Sequence, residues 1–161
     1  MYKKIATVFA MTLSIAAFAP LAAAKEHNKG GAAVLIPAGD LKWADVAGFP
    51  GVKMAVVDGD PAKGAAHFLI KFTGGFAAPL HHHPSDHYGN VISGTVVLTV
   101  DGKDTKLPAG SYFSFKGKKQ HMTKCEAGAD CLIALDSRGK WDVIPEETKA
   151  ADKGKAADKK K

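Results

Sequence analysis

The sequence predicts an all-β domain, and three observations support that prediction. Short runs rich in β-branched and aromatic residues recur through the middle of the chain, and each is bounded by Gly, Pro or Asp. The segments between them, such as DGDP, TGG and PAG, are typical turn sequences. After the first two dozen residues no stretch shows the 3.6-residue period of an amphipathic helix. Many short strands at regular spacing favour a β-sandwich or a β-barrel.

The first 24 residues are typical of a secretory signal peptide. Lys3 and Lys4 form a basic start, residues 5–18 form an uncharged apolar stretch, and three alanines supply a cleavage site before Lys25. A membrane anchor is the alternative, but the apolar run is short for a span and Pro20 interrupts its end. We therefore expect a periplasmic or secreted protein without stable membrane insertion.

The remaining chain divides into an N-terminal arm over residues 25–50, a β domain over residues 51–148 and a tail over residues 149–161. In the arm, residues 33–36 are a candidate strand, which would pair within the domain or with a second subunit, and residues 41–43 are a candidate helical turn. The sequence is therefore compatible with either a monomer or a homodimer. The tail repeats KAADK and has no apolar residue larger than Ala, so we expect it to be disordered.

The charge distribution argues against a nucleic-acid partner. The chain has 22 basic and 16 acidic residues. Leaving out the two lysines of the signal segment, and the six lysines and two aspartates of the tail, residues 25–148 have 14 of each. A nucleic-acid-binding surface would place its positive charge on the folded domain. We therefore expect a small-molecule ligand or substrate instead.

Five strands are predicted in order along the domain, at residues 52–59, 65–72, 95–102, 111–117 and 131–136. Asp101-Gly102, between VVLTV and KDTKL, is a strong hairpin signal. Cys125 and Cys131 stand where two strand ends would be joined by a Gly-containing turn. An even pair of cysteines in an exported chain favours a disulfide. The alternative is a thiolate metal ligand from Cys125, which lies close to His121 in the sequence.

Four of the seven histidines fall within residues 81–87, in the run HHHPSDH. On a strand, His81 and His83 share one face and His82 takes the other. The following Pro-Ser-Asp turns the chain, so that His87 can return to the first face. Three converging imidazoles are typical of a metal site, and imidazole suits Zn, Cu, Fe and Ni. The alternative is an exposed polyhistidine patch without a fixed metal.

These residues resemble the two sequence motifs of the cupin family. The first motif is matched at Gly75, His81, His83 and Gly94, with His87 where the family usually has Glu. The second is matched at Gly102, Pro108 and Gly110, but its usual histidine is displaced. The run AGSYFSFKGKKQH fits a longer variant of that motif, so the resemblance assigns the fourth ligand to His121. The alternative is a surface histidine in a basic loop. The resemblance covers residues 52–144.

The resemblance implies a double-stranded β-helix, the cupin jelly-roll barrel, with one divalent transition metal ion (Fe, Zn, Cu or Ni) held inside one mouth. Its metal ligands would be His81, His83, His87 and His121. Because His87 is neutral where Glu would be anionic, the full charge of the metal would remain in place. Asp86 is either a carboxylate that fixes an imidazole tautomer or a simple turn residue.

Three functions stay open at this point. The resemblance favours a metal-dependent dioxygenase of a small organic substrate; the alternatives are a non-redox isomerase, lyase or hydrolase, and a non-catalytic module that binds metal or a small ligand. Tyr88 is the candidate catalytic residue, because its hydroxyl could donate a proton or bind substrate. The side chains that could line the barrel mouth are Phe68, Tyr88, Phe113, Phe115, Met122 and Trp141.

Overall fold

A computed structural model describes residues 33–146, which form two antiparallel sheets around one hydrophobic core. The predicted signal peptide, the first part of the arm and the tail lie outside the described residues. Within residues 33–146, no helix has the length and apolar character needed to cross a membrane.

The larger sheet has six strands. In spatial order they are β1 (Ala44–Asp45), β2 (Val52–Gly59), β3 (Ala66–Phe72), β10 (Cys131–Ser137), β5 (His87–Ser93) and β8 (Tyr112–Phe115). The smaller sheet has five. Their order is β11 (Ile144–Pro145), β4 (Ala77–His82), β9 (His121–Cys125), β6 (Thr95–Val100) and β7 (Lys103–Pro108). The chain passes repeatedly between the sheets, as expected for a jelly roll.

The predicted all-β fold is confirmed, and the five predicted strands appear with ends that differ by at most two residues. The two predictions in the arm are wrong. Residues 33–36 form no strand, and Leu35 is 86% exposed. Residues 41–43 form no helical turn; a single 3-10 turn lies just before them, at Ala38–Asp40. Segments of three or four residues are too short to show a periodicity that would fix their structure.

The hairpin between β6 and β7 forms at the predicted place. Val100 pairs with Lys103, and Asp101 and Gly102 have φ values of 51° and 77°. A two-residue type I′ turn requires positive φ at both central positions, which Asp and Gly tolerate. The local sequence therefore fixes the register of this strand pair.

The core lies between the inner faces of the two sheets. Its most deeply buried side chains are Phe68, Val91, Val96, Cys131 and Ile133. The predicted disulfide between Cys125 and Cys131 is present, with a Cα–Cα distance of 5.8 Å. The two cysteines do not face each other across a hairpin, because β9 and β10 belong to different sheets. The disulfide therefore links the two sheets.

An irregularity in β4 places the histidines. Ala78 pairs with Thr123 and His81 pairs with His121, and the register shifts between these two pairs. Ala78 and His81 are both buried although they lie three residues apart. A β-bulge changes which residues of a strand face inward. The bulge therefore turns His81 toward the core, at the opposite end of β9 from Cys125.

Candidate metal centre

Four imidazoles are buried together at one end of the barrel. The exposed fractions of His81, His83, His87 and His121 are 4%, 5%, 2% and 2%. His81 comes from the end of β4, His83 directly follows that strand, His87 begins β5 and His121 begins β9. The bend over residues 84–86 returns the chain so that His87 faces the others. These are the four residues that the sequence assigned to a metal site.

Each of these imidazoles is oriented by a backbone carbonyl. The Nδ1–H of His81 donates to the Pro79 oxygen at 2.7 Å, and that of His83 donates to the Asp142 oxygen at 2.7 Å. His87 donates to Ser85 at 3.2 Å and His121 donates to Lys119 at 3.0 Å. A carbonyl can only accept a hydrogen bond, so the proton must sit on Nδ1. All four Nε2 atoms are therefore unprotonated, and each has a lone pair available to a metal ion, which is the arrangement that metal-binding histidines require.

The spacing of the rings fits a shared ion. One ring nitrogen of each of His81, His83 and His121 lies within 4.8 Å of the others. Nitrogens bonded to one ion at about 2.0–2.1 Å lie at most about 4 Å apart, so a bound ion would draw these three nitrogens together. His87 stands a little apart, with its ring centroid 4.7 Å from that of His83 and 5.9 Å from that of His121. Three histidines therefore could form a metal site, and His87 lies next to it.

Burial keeps these imidazoles neutral. Desolvation, together with the neighbouring imidazoles, lowers the pKa of His83 to about 2 and that of His121 to about 4. Desolvation also lowers the pKa values of His81 and His87. A metal ion binds the neutral form of imidazole. The protonation state at neutral pH is therefore the one that a metal ion needs.

Two aromatic side chains hold the imidazoles in place. The Trp141 ring stacks on His83 with a centroid distance of 3.8 Å and an interplanar angle of 18°. Phe115 stacks on His121 at 4.2 Å and on His87 at 5.3 Å. These contacts fix the ring planes and exclude water from that side of the site.

The imidazoles face a cavity of about 70 Å³. One enclosed water needs about 10–15 Å³ on this measure, so the cavity has room for a ligand of a few non-hydrogen atoms. Its polar side chains are the four histidines and Thr123. The remaining lining is apolar: Val46, Phe49, Val52, Met54, Ile70, Phe72, Phe76, Ala78, Leu98, Phe113, Ile133, Leu135, Trp141 and Val143. No carboxylate, lysine, arginine or tyrosine among residues 33–146 lines it.

The structure does not bring Tyr88 into this cavity. Tyr88 follows His87 on β5, so strand alternation directs it to the outer face of the sheet, where the Arg138 guanidinium lies 5.0 Å from its ring centroid. Met122 likewise alternates with His121 on β9 and lies outside the cavity. Of the other aromatic residues expected at the mouth, Phe113 and Trp141 line the cavity, while Phe68 packs edge-on against Trp141 at 5.0 Å.

His82 is directed away from the other three histidines of its run. Its Nδ1–H donates to the carboxylate of Glu146, next to the short strand β11. Among the described residues Asp86 forms no hydrogen bond with an imidazole: it accepts hydrogen bonds from the Lys116 ammonium at 2.7 Å and the Gly117 N–H at 2.8 Å. Asp86 therefore orders the loop after β8, and the expected tautomer-fixing role belongs to backbone carbonyls.

The alternative of a thiolate ligand is wrong, because Cys125 is disulfide-bonded. Sequence reasoning missed three contributors to the site. Thr123 could have been found from its spacing of two from His121 on a strand. The Asp142 carbonyl, and the segment of the arm that carries Val46 and Phe49, have no local sequence signal, since tertiary contacts bring them to the cavity.

Comparisons with known proteins agree with this architecture. A family model described as a cupin domain matches residues 68–136, whereas a comparison with curated protein sequences found no match. Among solved structures, KdgF from Halomonas sp. is similar at 22% identity and a TM-score of 0.56, covering 66% of this chain and 94% of that one. The polyketide cyclase RemF from Streptomyces resistomycificus has 16% identity and a TM-score of 0.62, covering 71% of this chain and 85% of that one.

A predicted oxalate decarboxylase from Thermotoga maritima is also similar, at 18% identity and a TM-score of 0.56, covering 65% of this chain and 98% of that one. At these identities each likeness shows the fold alone. The motif histidines, the two-sheet barrel and the matching family model agree with one another, and we conclude that residues 68–136 form a cupin domain.

Proposed function

We propose that the protein is an exported metal-dependent enzyme, dioxygenase-like in its chemistry, that acts on a small and largely apolar organic substrate. His81, His83 and His121 would hold one divalent transition metal ion (Fe, Zn, Cu or Ni) through Nε2, with His87 as the fourth ligand. The observation that carries this proposal is the shared orientation of the imidazoles. All four donate Nδ1–H to backbone carbonyls, so four unprotonated Nε2 atoms are available at one end of the cavity.

A bound redox-active metal would supply oxygen activation, and a bound zinc ion would supply Lewis-acid chemistry. The chain itself contributes binding, orientation and exclusion of water. Trp141 and Phe115 hold the imidazole planes, the apolar lining accepts the body of a substrate, and the Thr123 hydroxyl offers one hydrogen bond.

The cavity lining favours oxygen chemistry over acid–base chemistry. An isomerase or lyase normally needs a side chain that exchanges protons with the substrate. The cavity has no carboxylate, lysine or tyrosine among its described lining residues, and the histidines are assigned to the metal. A reaction that is carried out on the metal does not need such a side chain.

The second candidate is a non-catalytic module that binds metal or a small ligand. The cavity volume of about 70 Å³ favours it, because little space remains beside a metal ion for a reacting molecule. Export to the periplasm or beyond is part of both proposals. The disulfide supports it, since such bonds persist in oxidising compartments.

The decisive experiment is metal analysis of the full chain and single variants. We expect about one transition metal ion per chain in the wild type, and loss of that ion in His81→Ala, His83→Ala and His121→Ala. The matched control is His82→Ala, which removes an adjacent imidazole that faces away from the cavity and should keep the metal. Loss of metal in His82→Ala with retention in His83→Ala would contradict the site.

Catalysis is tested separately from binding. Protein loaded with iron or copper would be mixed with small phenolic and diketone compounds, and oxygen consumption would be followed with an electrode. Consumption that is lost in His83→Ala supports the enzyme. A metal-loaded protein that binds these compounds but consumes no oxygen supports the binding module.

A further inference from the structure

A groove on the outside of the domain adjoins the cavity. Its volume is about 490 Å³ and residues of β6, β7 and β8 line it. Val100, Leu107 and Phe115 give it apolar walls, and Lys116 and Lys119 contribute to its lining near solvent. Both ammonium groups are paired, with Asp86 and Asp101 respectively, so the groove presents little uncompensated charge.

Only side chains separate this groove from the cavity. Leu98 and Phe113 line both spaces. Within the described residues β7 pairs with β6 and β8 pairs with β5, so no backbone ladder crosses between β7 and β8. The half-buried Phe113 ring lies over Gly89, where an added Cβ would come within 2.2 Å of the ring.

On another side, the N-terminal arm closes the cavity. Val46 and Phe49 line it, and the backbone around them is held by three hydrogen bonds. Val46 N–H donates to Val52 at 3.0 Å, Phe49 N–H donates to Val46 at 3.1 Å, and Val52 N–H donates to Phe49 at 3.0 Å. Opening this side would break backbone hydrogen bonds, whereas rotation of Phe113 about χ1 breaks none.

We propose that the groove is the route by which a small, uncharged and largely apolar molecule reaches the imidazoles, and that Phe113 is its gate. The inference deepens the proposed function, because it names the entry route and the ligand class of that same site. Phe113 is then a specificity-determining residue: the space that its ring vacates sets the width of the molecule that enters.

The test uses diethyl pyrocarbonate, a small uncharged ester that acylates unprotonated imidazole nitrogen. Metal-free full-length protein would be labelled at neutral pH, and modification of His121 would be followed by peptide mass spectrometry relative to the exposed His67. We expect Phe113→Ala to raise the His121 rate at least about fivefold, because the local opening that limits access is removed. Phe113→Trp should lower it. The matched control, Phe49→Ala, should leave the ratio unchanged.

An equal effect of Phe113→Ala and Phe49→Ala, or a larger effect of Phe49→Ala, would overturn the route. Thermal unfolding followed by circular dichroism would check that each variant is folded, and Phe113→Leu replaces Phe113→Ala if that variant is not. Adding zinc to the wild type tests the proposed function independently. Failure of zinc to protect His121 would contradict the metal site while leaving the labelling ratios, and therefore the gate, as measured.

Discussion

His87 is the residue that most distinguishes this site from the usual cupin motif, which has a glutamate at that position. Its ring lies against His83 and Phe115, and burial lowers its pKa. A glutamate would bring a negative charge to a bound metal ion, whereas a neutral imidazole would leave the charge of that ion undiminished. This one side chain should therefore influence which metal is preferred.

We predict that His87→Glu keeps the fold and a metal ion but shifts the preference toward harder metals such as Mn and Fe(II). Wild type and variant would be loaded in competition with Mn, Fe, Ni, Cu and Zn, and the bound metals measured by elemental analysis. His67→Glu makes the same charge change on the outer surface and should shift nothing. An unchanged preference, together with full metal content in His87→Ala, would show that His87 is not a ligand.

Gly89 and Phe113 are in close contact, and their energetic coupling in folding can be measured. Because an alanine Cβ at position 89 would overlap the Phe113 ring, we expect Gly89→Ala to lower the free energy of unfolding by about 1–3 kcal/mol through overpacking. In a Phe113→Ala background the overlap disappears, and most of that cost should vanish. Urea unfolding of the four proteins gives the coupling energy. Strictly additive effects would show that the ring does not occupy the space over Gly89.

At the scale of the strands, β9 connects the two ends of the barrel. His121 begins it at the histidine cluster, and Cys125 ends it at the disulfide that joins the two sheets. The strand is five residues long, so it spans roughly 13 Å from first to last residue. The disulfide and the imidazoles can therefore be perturbed separately.

We predict that replacing both cysteines by alanine lowers the free energy of unfolding by about 2 kcal/mol, the contribution expected of a short closed loop. The metal content should not change, because the imidazoles lie at the other end of β9. Denaturant unfolding and elemental analysis of the same samples measure both quantities. Loss of metal at a temperature where the variant remains folded would show that the two ends are coupled.

For the molecule as a whole, the buried imidazoles make stability depend on pH. In the unfolded chain a histidine has a pKa of about 6.5, whereas burial lowers the pKa values of His81, His83, His87 and His121 in the folded protein. Above pH 6.5 both states are neutral at these positions. Below pH 6.5 the unfolded chain takes up protons that the folded protein cannot. The free energy of unfolding therefore decreases as the pH decreases.

We therefore predict that the metal-free protein loses stability as the pH falls from about 6.5 toward 4, by up to about 1.4 kcal/mol per pH unit for each of the four histidines. Urea unfolding at several pH values would measure this slope. His83→Gln should reduce the slope by up to about 1.4 kcal/mol per pH unit, the contribution of one histidine. A flat profile between pH 7 and pH 5 would contradict the buried, neutral state of the imidazoles.

The sequence by itself determined the all-β class, the β6–β7 hairpin, the disulfide partners and the four histidines of the site. These features depend on local chemistry or on motif spacing: Asp101-Gly102 permits the positive φ values of its turn, and His81 and His83 share a face at a separation of two. Strand period alone, however, does not say which face points inward.

Only the tertiary structure decided which face of each strand points inward and which residues line the cavity. The bulge between Ala78 and His81 reverses the inward face of β4, and a bulge is set by the pairing of β4 with β9 rather than by residues next to it in sequence. The same limit applies to Tyr88, which β5 directs outward, and to Trp141, which reaches His83 from 58 residues away in the chain. Contacts between distant segments fix these positions, and the local sequence does not specify those contacts.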